Sequence, residues 1–241
     1  MKNSYVLFEG QSVLDGKPIV VIATGFAQAS SNVKTGNMIQ TFIMRSDIEP
    51  HQAVKSGDDV TVCGNCVHRP SNGGACYVRT DQAPLSVYRA WKRGNVPVMQ
   101  DFSMFENKLV RAGTYGDPAA VPMYVWRAVM RHAVANTGYT HQVEHKNFDM
   151  DILSFCMVSA DTPKQAKKYH SHKLRTFRVK VEGAPTLENE VVCKADSEGL
   201  TCAQCKLCDG ATKDNVSIVI DIHGAKQKRY TEKFSKANFA V

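Results

Sequence analysis

Short apolar runs alternate with polar, glycine-containing stretches along most of the chain. Residues 18–23 are rich in β-branched side chains and lie between Gly16 and Gly25, and residues 38–44 form a second apolar run. A polar loop, residues 30–36, separates the two runs. Apolar runs of this length with glycine at their ends predict β-strands. The first sixty residues are therefore predicted to be rich in strands.

The middle of the chain alternates between strand-like and helix-like patterns. Residues 109–112 predict a short strand, which ends in the glycine-rich stretch 113–118. Apolar side chains recur at helical spacing over residues 121–135, and Pro122 suits the first turn of a helix. Residues 138–141 predict the next strand.

The pattern continues towards the C-terminus. The almost continuous apolar run 152–159 is typical of a strand that is buried on both faces. Thr162 followed by Pro163 predicts a capped helix start. Residues 175–181 and 216–223 predict two more strands.

Strands that alternate with helices of this length predict parallel β-α units. We therefore expect an α/β fold that resembles a β/α barrel, complete or partial, with a doubly wound sheet as the rival. A chain of 241 residues is long enough for one large domain. We expect a single β/α domain over residues 1–241, with Cys-rich knuckles at 60–80 and 190–212.

The second knuckle carries the strongest chemical signal. Four of the eight cysteines lie within 16 residues, and their thiolates are soft ligands that suit zinc or iron–sulfur clusters. The CxxCxxC run resembles a ferredoxin-type loop, whereas three of these cysteines with His223 would form a tetrahedral Cys₃His zinc site. The spacing leaves both alternatives open. The four cysteines are Cys193, Cys202, Cys205 and Cys208.

The first knuckle contains Cys63, Cys66 and Cys76, with His68 nearby. Three cysteines and a histidine could bind zinc, and three cysteines alone could hold a [4Fe-4S] cluster with one iron left open. A turn with buried thiols is the alternative. The chain is thus expected to hold zinc or a [4Fe-4S] cluster, in one or two centres.

The formal charge of +7 favours an anionic partner, and DNA before a membrane. No apolar run approaches the roughly 18 residues that span a bilayer, and the first residues do not resemble a signal peptide, so we expect a cytoplasmic protein. Basic side chains could contact phosphates, although a solvated charged surface is an equal alternative. The candidates for nucleic-acid binding are Lys34, Lys168, Lys173, Arg175 and Arg178.

Three polar residues follow predicted strands and are candidates for catalysis. Asp117, His141 and Asp161 lie where strands end, and catalytic groups of parallel β/α folds lie at that edge. A carboxylate there can act as a nucleophile or a general base, and a histidine can transfer protons. The alternatives are structural, because Asp117 could build a turn and Asp161 could begin a helix.

Several segments together resemble a family of phage-encoded proteins that includes those called gene product 88-like. The resemblance covers about residues 30–225. The segments, in chain order, are residues 32–36, 76–78, 111–118, 139–141, 175–178 and the late cysteines with His223.

The layout is also similar to two better-known groups of proteins. Radical S-adenosylmethionine enzymes place a cysteine cluster ahead of β/α units, although the first knuckle departs from their usual CxxxCxxC spacing. Queuine-type tRNA-guanine transglycosylases, and phage relatives that act on DNA, combine a β/α barrel with a late Cys₃His zinc site. Cys202, Cys205, Cys208 and His223 resemble that site in order and position, although its first spacing is CxCxxC.

The transglycosylase resemblance implies a nucleophilic aspartate that attacks the sugar and a second aspartate that transfers a proton. Asp161 and Asp117 are the candidates at strand ends. We therefore expect an enzyme that exchanges guanine in phage DNA for a 7-deazaguanine base. The alternatives are an iron–sulfur enzyme that uses S-adenosylmethionine and a non-enzymatic, metal-stabilised DNA-binding protein.

Overall fold

A computed structural model describes residues 1–30, 32–224 and 226–240. Nine strands in these residues form one sheet, in the order β1-β2-β3-β4-β5-β6-β7-β9-β8. The strands are β1 (Ser4–Gln11), β2 (Pro18–Thr24), β3 (Ile39–Arg45), β4 (Leu109–Tyr115), β5 (Ala135–Thr140), β6 (Met157–Ala160), β7 (Thr176–Lys180), β8 (Glu190–Val192) and β9 (Ser217–Asp221).

The sheet has an antiparallel edge and a parallel body. Strands β1, β2 and β3 pair antiparallel, and every pairing from β3 to β8 is parallel. The parallel strands follow chain order, except that β8 forms at the outer edge before the chain returns to β9. The α/β class is therefore confirmed, as a mixed, mostly parallel sheet that is not closed.

Helices connect many of the strands. Because right-handed crossovers that step in one direction lie on one face of a sheet, the consecutive strand order leaves the other face free to line a cavity. The helices are α1 (Pro50–Ser56), α2 (Val60–Cys63), α3 (Ala83–Lys92), α4 (Met123–Met130), α5 (Pro163–Ser171), α6 (Lys194–Ser197), α7 (Cys202–Cys205) and α8 (Gln227–Phe239).

The main hydrophobic core lies around β2, β3 and β4. All residues from Ile19 to Ala23 are fully buried, as are Ile43 and Met44 in β3. Trp126 of α4 is also fully buried, and its indole N–H donates to the carbonyl of Pro118 at 2.9 Å. The predicted strands at 18–23 and 38–44 are thus confirmed as β2 and β3, and both are largely buried on both faces.

Two predictions of local structure are wrong. Residues 152–159 do not form one strand, because Met150–Ser154 is a 3-10 helix and only Met157–Ala160 is β6. Asp149 caps this helix by accepting from the backbone N–H of Asp151 at 3.0 Å. A short apolar run has the same pattern in a buried helix as in a buried strand.

The predicted helix at 121–135 is also too long. Helix α4 ends at Met130, and the chain enters β5 at Ala135. Pro122 is the N-cap rather than a residue of the first turn. By contrast, the predicted start of α5 is confirmed, because the Thr162 side chain accepts from the N–H of Gln165.

None of the helices in the described ranges combines the length and the apolar composition that a membrane crossing requires.

Candidate active site

A cavity of about 390 Å³ lies against the parallel strands and reaches the loops at their carboxyl ends. This volume falls within the range of about 300–1,000 Å³ that is typical of small-molecule sites. Strands β3, β4, β5 and β7 each contribute an aromatic ring to its wall. These rings belong to Phe42, Tyr115, Tyr139 and Phe177.

The three predicted catalytic residues all line this cavity. Asp117, His141 and Asp161 follow β4, β5 and β6, whose carboxyl ends are adjacent in the sheet. An Asp117 carboxylate oxygen accepts from the backbone N–H of His141 at 2.8 Å, and the His141 Nε2 lies 3.3 Å from Asp161 Oδ1. The structure thus brings the three residues from neighbouring strand ends to one cavity.

Asp161 is held by two histidines through a single oxygen. Its Oδ1 lies 2.8 Å from Nε2 of His68 and 3.3 Å from Nε2 of His141, and no described residue hydrogen-bonds its Oδ2. Burial raises the pKa of Asp161, but the charge and the hydrogen bond of His141, and those of His68, outweigh burial and hold it well below 3.8. Asp161 is therefore ionised at neutral pH. It does not cap α5, because Thr162 does.

Asp117 has the opposite electrostatic character. Burial raises the pKa of its carboxyl above 3.8, against the hydrogen bonds donated by the N–H groups of Ala119 and His141. The 3.0 Å bond to Ala119 caps the 3-10 helix Pro118–Ala120. Asp117 thus builds a turn, which is the structural role that the sequence left open for it. It also presents a carboxyl group to the cavity.

His68 is the site residue that sequence reasoning missed. The sequence predicts His68 only as a zinc ligand of the first knuckle, and nothing in the chain links it to Asp161. Its ring packs against Tyr230 and Phe234 of α8, with centroids 5.6 Å away in both cases. The one signal in the sequence is a histidine inside a cysteine-rich loop.

His68, His141 and Asp161 also meet a geometric requirement for holding a metal ion. Their ligand atoms all lie within 4.8 Å of one another. Two imidazoles and one carboxylate are a common ligand set for divalent transition metals. The same atoms are satisfied as a hydrogen-bonded carboxylate with two imidazole donors, so both uses are compatible with this geometry.

The first knuckle brings all three of its cysteines to the cavity. Cys63, Cys66 and Cys76 are free thiols that line its wall. Burial, with added repulsion from Cys66 and Cys76, raises the pKa of Cys63 well above 9.0. Burial lowers the pKa of His141, but Cys66 and Asp161 outweigh burial and hold that pKa well above 6.5. The three thiols therefore lie close to one another and to the acid–base residues.

The late cysteines form a second group beneath the cavity wall. Burial raises the pKa of Cys208 to about 12, and Cys193, Cys202 and Cys205 add to that rise. The Cys208 carbonyl accepts from the backbone N–H of Gly138 in β5 at 3.1 Å.

Neither cysteine group has the spacing of an assembled zinc site. Zn–S bonds of about 2.3 Å in a tetrahedron place sulfur atoms about 3.8 Å apart. In the described residues, neither group brings three sulfur atoms within 4.8 Å of one another. The His223 ring lies 5.8 Å from that of Tyr77, and its Nδ1 lies 3.0 Å from the carbonyl oxygen of Asp221. Metal centres in the two cysteine groups, with Cys193 as the fourth member of the late group, therefore stay a prediction.

The basic candidates separate into surface and interior residues. Lys173 is exposed, Lys168 pairs with Glu144 at 2.6 Å, and Lys34 pairs with Asp196 at 2.6 Å. These three lysines remain candidates for phosphate contacts.

The prediction that Arg175 and Arg178 bind nucleic acid is wrong, because both side chains are buried. Arg178 is fully buried and pairs with Glu190, its Nε lying 2.7 Å from Oε1. Arg175 is buried and binds Asp209 and the carbonyl of Val216, each at 2.8 Å. Their guanidinium groups hold the strands and loops of the parallel edge together, so they do not reach a nucleic acid at the surface.

Comparison of the chain with family models, curated proteins and solved structures found no match in any of the three. The resemblance to phage proteins and to transglycosylases therefore stays a prediction.

Proposed function

We propose that this chain is a transglycosylase that exchanges guanine in DNA for a 7-deazaguanine base. The observation that carries the proposal is the pair of carboxyl groups in one cavity. Asp161 is ionised and keeps one oxygen free, whereas burial raises the pKa of Asp117. Pairs of acids whose environments drive their pKa values apart are typical of acid–base catalysis.

In the proposed reaction, Asp161 Oδ2 attacks C1′ of the sugar. The new C–O bond replaces the C1′–N9 bond, and Asp117 gives its proton to the leaving base. The incoming base then loses a proton to Asp117, attacks C1′ and releases Asp161. His68 and His141 are positioning residues, because they fix the other carboxylate oxygen.

The architecture supports this proposal. Parallel strands in consecutive order are the arrangement of a β/α barrel, and we infer that the unclosed sheet is a partial barrel. Active sites of such folds lie at the carboxyl ends of the strands, where Asp117, His141 and Asp161 lie. The late cysteine group would hold a structural metal.

The cavity wall supports a nucleobase as ligand. The rings of Tyr139 and Phe177 lie 4.4 Å apart, and Phe42 and Tyr115 also line the cavity. Aromatic side chains stack on bases. A base in duplex DNA has to leave the stack to reach such a cavity, and the net charge of +7 favours contact with the phosphates.

The test measures incorporation of a labelled 7-deazaguanine into guanine-containing DNA. We expect D161N to abolish incorporation, and we expect a covalent protein–DNA adduct on denaturing gels only when Asp161 is present. D151N is the matched control, because Asp151 is exposed and pairs with Arg127. Full activity in both D161N and D117N would exclude the proposal.

A second candidate function is favoured by the position of the first knuckle. Cys63, Cys66 and Cys76 follow β3, the first strand of the parallel body, and all line the cavity. They would hold an iron–sulfur cluster with an open iron, which supplies reductive cleavage of S-adenosylmethionine. The number and softness of the three thiols fit an iron–sulfur cluster. An enzyme that cleaves S-adenosylmethionine would use the same cavity.

Analysis of iron, sulfide and zinc in protein purified without oxygen separates the two candidates. The second function predicts a brown protein that loses iron in C63S but keeps it in C156S, because Cys156 is buried in the main core. A colourless protein with stoichiometric zinc would exclude the second function and leave the first.

A further inference from the structure

One cation of the cavity lining has no anionic partner among the described residues. Arg111 lies in β4, and its guanidinium carbon is 6.0 Å from the centroid of the Tyr139 ring. In the part of the chain that the structure describes, its side chain makes no ion pair and no hydrogen bond. Burial lowers the pKa of Arg111, but two tyrosines and the late cysteines Cys202 and Cys208 raise it more, so the late cysteine group lies near this guanidinium.

The four buried arginines are all paired, whereas Arg111 is only partly buried. A buried guanidinium without an anion is costly, which is why buried charges in proteins are almost always paired. The interior pairs are Arg45 with Asp47, Arg69 with Asp59, Arg175 with Asp209, and Arg178 with Glu190. Arg111 lines the cavity without such a pair among the described residues, so its guanidinium group is open to an anionic ligand there.

A second unpartnered group lies on the same strand. The hydroxyl of Tyr115 is buried and has no hydrogen-bond partner, and Tyr115 lines the cavity with Arg111. Strand β4 is irregular between the two residues, because its pairing with β3 shifts there and Gly113 has a positive φ. Both residues nevertheless line the same cavity, so β4 presents a polar group to it at two positions, and Asp117 follows beyond them.

We propose that Arg111 binds a phosphate group of the substrate, so that the cavity takes a nucleoside phosphate with its sugar at Asp161 and its phosphate at Arg111. The guanidinium fork matches phosphate oxygens with two parallel hydrogen bonds. The choice of phosphate rests on the proposed function. That the cavity binds an anion at Arg111 rests only on the unpaired guanidinium group.

The experiment measures binding of three probes to the full chain, as purified, by calorimetry: dGMP, deoxyguanosine and a guanine-containing single-stranded oligonucleotide. We expect dGMP to bind about tenfold or more tightly than deoxyguanosine, since a hydrogen bond to a charged group is worth that factor. In R111M this difference should vanish while deoxyguanosine binds as before, which shows that the cavity is intact. R111K should keep part of the difference.

The control is R131M, because Arg131 is an exposed arginine that follows α4. It should bind all three probes like the unchanged protein. If R111M weakens binding of the oligonucleotide alone, the anion that Arg111 binds is a phosphodiester. If R111M also weakens binding of dGMP, a phosphomonoester is sufficient. Both results support the inference.

Two results would overturn the inference. One is equal affinity for dGMP and deoxyguanosine together with no effect of R111M on the oligonucleotide. The other is a preference for phosphate that survives in R111M. A third result separates the two proposals. If the protein prefers dGMP through Arg111 but does not exchange bases, the proposed reaction is refuted and the inference about Arg111 stands.

Discussion

His68 and Asp161 lie 93 positions apart in the chain, yet Nε2 of His68 is 2.8 Å from Oδ1 of Asp161. This contact joins the first cysteine knuckle to the carboxyl end of β6. The His68 ring in turn stacks on Tyr230 of α8. A carboxylate that is fixed in this way keeps its free oxygen in one orientation, which a nucleophile requires.

Replacing His68 should therefore impair chemistry more than binding. For H68Q we expect kcat of base exchange to fall by about 10–100-fold with little change in KM, because misplacement of a reacting group has effects of that size. Steady-state kinetics with labelled base measure both constants. H132Q is the control, since His132 lies near Glu106 and away from the cavity lining. An unchanged kcat in H68Q would show that His68 does not position the carboxylate.

Metal content should depend on the late cysteines and not on the buried core cysteine. We expect C202S and C208S each to lose about one equivalent of metal per chain. Mass spectrometry of the intact metal-loaded protein and elemental analysis measure the loss. C156S should retain its metal, because Cys156 is fully buried against the main core. Equal metal content in all three variants would remove the late cysteines as ligands.

The ion pair of Arg178 and Glu190 should be important for stability. Both side chains are fully buried, and Glu190 also accepts from the N–H of Leu187 at 2.9 Å. E190Q leaves the guanidinium without its counter-charge, so we expect the free energy of unfolding to fall by about 3–5 kcal/mol. Urea unfolding measures it. E144Q, which breaks the exposed pair with Lys168, should change it little.

Stability should also fall at mildly acidic pH because of His170. Burial lowers the pKa of His170 below 6.5, and its Nε2 lies 3.0 Å from Oγ1 of Thr176 and 2.9 Å from Oγ of Ser217. Below pH 6.5 the unfolded chain binds a proton that the folded chain resists. The stability that neutral His170 contributes is thus fully present above pH 6.5, and it is lost as the pH falls through the pKa of His170 in the folded protein.

Urea unfolding between pH 7.5 and 5 measures this dependence. The decline in stability with falling pH should be smaller in H170Q than in the unchanged protein. A control is H172Q, because His172 is exposed and should leave the decline as it is. If the decline is the same in H170Q, burial of His170 is not its cause.

Local signals in the sequence predicted much of the fold. Strands β2, β3 and β9 coincide with predominantly apolar runs, and the start of α5 follows from Thr162 and Pro163. Alternation of these elements predicted the α/β class. The run at 152–159 could not be resolved, because burial on all sides removes the periodicity that distinguishes a helix from a strand.

The position of Asp117, His141 and Asp161 at strand ends was also predictable, since parallel strands place their carboxyl ends at one edge. The sequence could not show that Arg178 is buried, because it carries the same charge as the surface lysines beside it. Burial and the Glu190 partner are properties of packing, and 12 positions separate the two residues.

The sequence by itself determined which elements form and which residue types stand at their ends, because backbone preferences and apolar patterns are local. Only the tertiary structure decided which histidines hold Asp161, which thiols line the cavity and which arginine of the cavity lacks a partner among the described residues. Those are distances between residues far apart in the chain, and they depend on how the whole sheet packs.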